Sequence, residues 1–151
     1  MTGPRQDSMT VRVVFTGAHQ EIARLGGAVE DFCGARGVAP LAVSKVLLAL
    51  EELLTNVAKY GRRGRATIDV SVVLALQGGQ LVVVYEDSGE AFDPLALAAP
   101  DLDLPLEERP IGGLGIHLLR GLFDDVSYAW LGGRNQVMLR LRDTGDDPKS
   151  G

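Results

Sequence analysis

Glu52 and Asn56 stand one helical turn apart inside an apolar stretch, Leu50-Glu51-Glu52-Leu53-Leu54-Thr55-Asn56. On a helix this spacing places a carboxylate and an amide on one face. An amide oxygen is a hard ligand that suits magnesium, whose shell phosphates usually complete. A carboxylate one turn earlier can act as a general base, taking a proton from water or from a protein hydroxyl. The same pair also suits an exposed polar strip on an amphipathic helix, so the spacing alone leaves both readings open. Glu51, turned about 100° from Glu52, is expected at the surface.

Two further fragments belong beside this pair. Asp87-Ser88-Gly89 ends an apolar run. A carboxylate there can accept a hydrogen bond from the exocyclic amine of adenine, and Gly89 lets the chain turn and the base approach. Asp-Ser-Gly is also a common turn sequence. Gly112-Gly113-Leu114-Gly115-Ile116 precedes a helical pattern. Backbone N–H groups at such a start can hold phosphates. A hinge before a helix is the plainer reading. No Gly-Lys-Ser/Thr follows, so this is not a Walker loop. The preceding segment is rich in proline, which excludes a dinucleotide fingerprint.

The elements that must position these residues follow from periodicity and punctuation. A strand is expected at 11–15. A helix is expected at 19–33, with Ile22, Leu25, Val29 and Phe32 on one face and Gly34 and Gly37 at its exit. Pro40 opens a second helix. Its broad stripe of Val43, Val46, Leu47, Leu50, Leu53, Leu54 and Val57 runs to Gly61. The basic turn Arg62-Arg63-Gly64-Arg65 comes next. Strands at 66–76 and 81–85 flank a Gly78-Gly79 turn. Residues 90–110 carry Pro94, Pro100, Pro105 and Pro110, too many for one long helix. Such an irregular stretch suits a lid or binding loop, or a solvated insertion with a short helix at 95–99. A helix at 114–122 and strands at 126–130 and 136–141 complete the chain. The order predicts an α+β fold. It is a two-layer α/β sandwich, with a mostly antiparallel mixed sheet covered on one face by helices. The expected organisation is a flexible N-terminus at 1–9, one domain at 10–142 and a flexible polar tail at 143–151.

Bulk properties narrow the function classes. The chain has 151 residues, 46% hydrophobic and 23% charged, as expected of one soluble domain. Its formal charge of -5 disfavours direct nucleic-acid or anionic-membrane binding. The single cysteine, Cys33, suits a reducing compartment. No signal peptide or membrane span is readable, so a cytoplasmic location is expected.

Taken in order, the fragments resemble the histidine-kinase-like ATPase superfamily, whose nucleotide site is the Bergerat fold. Within it the chain is most similar to bacterial anti-sigma-factor serine/threonine kinases, over roughly 11–141. Glu52-Leu53-Leu54-Thr55-Asn56 resembles the N box, with Glu52 as catalytic base and Asn56 as magnesium ligand. Asp87-Ser88-Gly89-Glu90-Ala91-Phe92-Asp93-Pro94 resembles the first glycine box, whose aspartate contacts adenine. Gly112-Gly113-Leu114-Gly115-Ile116-His117-Leu118-Leu119 resembles the second, at the phosphate side of the ATP lid. Gly133-Arg134-Asn135-Gln136-Val137 resembles the turn before the last strand. The chain departs from the family at Ala91, where glycine or proline is frequent. It departs again at Lys59 and Tyr60, where many relatives carry a histidine.

The resemblance implies ATP and Mg2+ at Glu52, Asn56, Asp87, Gly89, Gly112, Gly113, Leu114, Gly115 and Ile116. It implies sigma-factor-like and anti-anti-sigma-like protein partners, and a homodimer through the first strand and helix. Lys59 and Arg109 are further candidate phosphate or partner contacts. A sensor kinase's phosphoaccepting helical domain is not expected, and His19 and His117 fall within the ATP-binding unit. Two functions stay open. One is an ATP-dependent kinase of a small protein partner. The other is a non-catalytic ATP-binding switch that sequesters a sigma factor or another regulator.

Overall fold

The computed structural model describes residues 7–96 and 119–142. Five strands and two long helices follow the expected order. They are β1 (Asp7–Phe15), α1 (His19–Ala35), α2 (Pro40–Asn56), β2 (Ile68–Gln77), β3 (Gln80–Asp87), β4 (Asp125–Leu131) and β5 (Arg134–Arg142). The strands form one sheet in the order β1-β2-β3-β5-β4. Every pairing in it is antiparallel. The helices pack on one face, which gives the expected α+β sandwich.

Turn chemistry fixes the two hairpins. Gly78 and Gly79 have φ of 56° and 78°, and Gly132 and Gly133 have 59° and 76°. Two consecutive positive φ values suit the tight turn that matches strand twist, and glycine adopts them without strain. Strict alternation then sets the inward face. In β3, Leu81, Val83, Tyr85 and Asp87 are buried and their neighbours are partly exposed. Val137, Leu139 and Leu141 continue the same face on β5. Leu25, Val29 and Phe32 of α1 and Val46, Leu50 and Leu53 of α2 close the core over it.

The helix ends have local causes. Ala18 at the start of α1 has no side-chain acceptor, so Glu21 serves instead. Its carboxylate accepts from the backbone N–H groups of Thr16, at 2.8 Å, and Ala18, at 3.1 Å. Pro40 sits at the first turn of α2, as its missing N–H allows. Beyond Asn56 the helix widens into a π turn, Val57–Gly61, and stops at the expected glycine.

Most strand bounds differ from expectation by one or two residues, as β2 starts at Ile68 and β5 at Arg134, and three shifts have a clear cause or consequence. β1 reaches back to Asp7, because the polar residues there pair through their backbones with the far end of β2, Asp7 against Leu76. α1 continues past Gly34 to Ala35, and the exit falls at Gly37, with φ of 68°. β3 extends to Asp87, which makes the aspartate the last residue of the strand. The segment from Glu90 is irregular as far as a single 3-10 turn, Pro94–Ala96. The remainder of that stretch, Arg109, the Gly112-to-Ile116 segment, His117 and the polar tail lie outside the described residues. Residues 119–122 are helical. Among the described residues no helix is long and apolar enough to cross a membrane, which leaves β-barrels untouched.

Candidate functional site

One cleft gathers residues from four elements. Leu53, Asn56, Val57 and Gly61 come from α2 and its π turn, Tyr85 and Asp87 from β3, Glu90, Phe92 and Pro94 from the following loop, and Asn135 and Val137 from β5. The unfilled space between them is about 310 Å³, part of it continuous with solvent.

Helical spacing delivers Asn56 to this cleft. Its neighbours Leu53, Leu54 and Val57 are buried in the core, and Asn56 is itself only 2% exposed. Both amide atoms, Oδ1 and Nδ2, are buried without a hydrogen-bond partner. Buried polar groups are almost always paired, so two orphans on one side chain point to an absent ligand. Glu52, one turn earlier, is half-buried, and its Oε2 is also buried without a partner. Desolvation raises its pKa above the ordinary value of 4.5. The Glu51 charge adds to the rise, and Lys59 offsets part of it. Glu51 is exposed, as its place on the helix requires.

Asp87 reaches the cleft because it keeps the inward phase of β3. It is 4% exposed and heavily hydrogen-bonded. Oδ1 accepts from the Gly89 N–H at 2.9 Å and from Asn135 Nδ2 at 2.8 Å. Oδ2 accepts from the Tyr85 hydroxyl at 2.7 Å. Burial and the adjacent Asp87 push Tyr85 well above the usual phenol range, so its hydroxyl stays protonated and donates. The loop beyond is pinned by Ser88, whose N–H donates to Asp69 O at 3.0 Å and whose hydroxyl accepts from Asp69 N–H at 2.9 Å. Gly89 is needed here for close approach. A Cβ on it would lie 3.0 Å from the Gly61 carbonyl oxygen and 3.3 Å from Val57 Cγ2. The Glu90 N–H donates to that same Gly61 carbonyl at 3.0 Å, which ties the end of the helix to the loop.

The structure thus brings Asn56 and Asp87 to one cleft, with Glu52 one turn back on the same helix and Gly89 beneath the loop. Lys59 and Tyr60 line a neighbouring hollow with Arg63, Glu90, Ala91 and Phe92. The Tyr60 ring stacks on Phe92 with centroids 5.3 Å apart.

Two contributors had no role assigned from sequence, Asn135 and Tyr85. The signal was phase. Asn135 shares the inward alternation of Val137, Leu139 and Leu141, and an amide in that row needs partners. Asn135 finds four. Its Nδ2 donates to Asp87 Oδ1 at 2.8 Å and to the Glu90 carbonyl at 2.7 Å. Its Oδ1 accepts from the Phe92 N–H at 2.9 Å and the Tyr128 hydroxyl at 2.6 Å.

A single-sheet α+β sandwich with a largely apolar cleft that carries Asn56 and Asp87 between its second helix and two central strands defines the class. The family model for the histidine kinase-like ATPase domain matches residues 15–141, and the chain belongs to that family. The chain is 25% identical over 138 residues to the serine-protein kinase RsbW of Listeria monocytogenes serovar 1/2a, covering 89% of this chain and 87% of that one. It is 26% identical over 102 residues to the serine-protein kinase RsbW of Bacillus cereus strain G9842. That match spans 65% of this chain and 63% of the relative. The fold is similar to a crystal structure of the RsbU and RsbW domains of Rv1364c from Mycobacterium tuberculosis, with a TM-score of 0.60 at 13% identity. That likeness covers 89% of this chain and 32% of the other.

Proposed function

We propose that this protein is an ATP-dependent serine/threonine protein kinase that resembles an anti-sigma factor and phosphorylates a small anti-anti-sigma-like protein. The observation that carries the reading is the pair of orphaned amide atoms on Asn56 in the same cleft as Asp87. The cleft is otherwise apolar around Leu53, Val57 and Val137, which suits the faces of a purine. The carboxylate of Asp87 suits the amine on its edge. Asn56 Oδ1 is the candidate magnesium ligand. The Gly112-Gly113-Leu114-Gly115-Ile116 segment is proposed to enclose the phosphates.

The unpaired Oδ1 of Asn56 fits a hard cation, which needs oxygen donors with free lone pairs, and the unpaired Oε2 of Glu52 fits a proton acceptor. Magnesium, when bound, neutralises phosphate charge. The chain's own residues do the rest. Asp87 holds the base, and Asn56 orients the phosphate end. Glu52 accepts the proton of a serine hydroxyl as that oxygen bonds to the terminal phosphorus and the bond to the leaving diphosphate breaks. A carboxylate with a raised pKa is a stronger base for that transfer. The sigma-factor-like partner, the homodimer and the cytoplasmic location belong to the same proposal. They are supported by the resemblance of the motifs at 52–56 and 87–94 to those of anti-sigma-factor kinases and by likeness to the RsbW kinases.

Labelled ATP, purified partner and saturating magnesium test it. The wild type is expected to yield a phosphoserine or phosphothreonine product. Glu52→Ala is expected to lower the transfer rate at least about a hundredfold while keeping nucleotide binding. A phosphoprotein formed equally by Glu52→Ala would refute the role of Glu52. Tight ATP binding with no transfer, and partner capture indifferent to Glu52→Ala, would establish the non-catalytic switch instead.

A further inference from the structure

Asn135 is saturated. Its amide has two hydrogens and two acceptor lone pairs, and all four are in use. The orientation of the amide is dictated by its partners. The Phe92 N–H can only donate, so it faces the oxygen. The Glu90 carbonyl can only accept, so it faces the nitrogen. The nitrogen's second hydrogen must therefore point at Asp87 Oδ1.

This has a chemical consequence for the carboxylate. A carboxylate offers about four acceptor positions, two on each oxygen. Asp87 Oδ1 takes two donors, the Gly89 N–H and Asn135 Nδ2. Oδ2 takes one, the Tyr85 hydroxyl. One position on Oδ2 is left for a ligand. Adenine presents a single exocyclic amine, which needs one acceptor. Guanine presents two adjacent donors, the ring N–H and the 2-amino group. Its favourable pairing with a carboxylate is bidentate and needs both oxygens.

We propose that Asn135 is a specificity-determining residue. By capping Asp87 Oδ1 it leaves the carboxylate able to pair with one donor only, and so selects adenine over guanine nucleotides. This rests on the proposed nucleotide site at Asp87. Asn135 acts through Asp87 and is a positioning residue. Its contacts with Glu90 and Phe92 also hold the loop that lines the cleft, so its loss has a structural component. That component weakens every nucleotide alike and cancels in a ratio.

The test is the ratio of ATP to GTP dissociation constants, measured by calorimetry with magnesium on the full chain. The wild type is expected to prefer ATP by about a hundredfold or more. In Asn135→Ala the Oδ1 position is free, and the preference is expected to shrink by about tenfold to a hundredfold, the worth of one hydrogen bond to a charged group. Should Asn135→Ala fail to melt cooperatively, Asn135→Leu, which fills the space and also lacks a donor, carries the same expectation. Equal weakening of ATP and GTP, with the ratio unchanged, would overturn the proposal and leave Asn135 a loop anchor. A wild type that binds neither nucleotide would overturn the site reading itself, and this proposal with it.

Discussion

Replacing Asn56 with leucine is expected to make the ligand-free protein more stable. Leucine keeps the branched outline of asparagine and its bulkier methyl groups extend into the adjoining cleft, so repacking costs about 1–2 kcal/mol. What it removes are two buried amide atoms with no hydrogen-bond partner. Each such atom costs about 1–3 kcal/mol. Water entering the solvent-open cleft offsets part of that cost. The net gain is about 1–2 kcal/mol. For a domain of this size that raises the melting temperature by roughly 2–8 °C. Magnesium-ATP reverses the order. At about a hundred times its dissociation constant it stabilises the wild type by about 2.7 kcal/mol. Without its metal-binding oxygen, Asn56→Leu gains little or nothing. Thermal melts of both proteins, with and without magnesium-ATP, therefore rank oppositely. A lower melting temperature for ligand-free Asn56→Leu would mean that the amide is satisfied in the free protein. The orphaned atoms would then be no sign of a ligand.

Glu52→Gln carries a pH signature. Because desolvation raises the folded-state pKa of Glu52 above 4.5, its carboxyl is least unfavourable to folding when protonated. Wild-type stability relative to Glu52→Gln falls as pH rises from the ordinary carboxylate value through the raised one, then levels off. Urea unfolding across that range should find the glutamine variant relatively most favoured at neutral pH, and a flat or inverted difference would refute the sign. A Cβ at Gly61 would lie 2.5 Å from Val57 Cγ2, whereas one at Gly27 meets nothing within 4 Å. Gly61→Ala should destabilise by about 1–3 kcal/mol, and Gly27→Ala, inside α1, should stabilise by about 0.5–1 kcal/mol. Chemical denaturation distinguishes them, and equal effects would remove the steric account of Gly61.

The parts of this fold that were legible in the sequence depend on local rules. The apolar stripe of α2 and the glycine at its end mark one element, and the paired glycines mark both hairpins. Glu52 and Asn56 were legible because helical spacing alone places them on one face. Asp87 was legible as a carboxylate ending an apolar strand. The reach of β1 back to Asp7 was not, because its pairing with Leu76 uses backbone groups and carries no side-chain pattern. The work of Asn135 was hidden for a related reason. Its partners Asp87, Glu90 and Phe92 lie 48, 45 and 43 residues away. No local window contains such a network. Gly89 was expected to make room for a base, and its second role, accommodating the Gly61 carbonyl brought there by tertiary packing, had no local signal.

The π turn at Val57–Gly61 gives the chain between Asn56 and Gly61 an asymmetric tolerance of length. A π turn amounts to one residue more than an α-helix would accommodate over the same path. Deleting one residue lets the turn close into an α-helix with little displacement beyond it. An inserted residue has no such slack, and everything beyond it would rotate by about 100° and advance by about 1.5 Å. The Gly61 carbonyl would then no longer meet the Glu90 N–H. Side-chain substitutions at Ala58, Lys59 or Tyr60 leave the path intact, so this turn can drift in sequence and even lose a residue, but it cannot gain one.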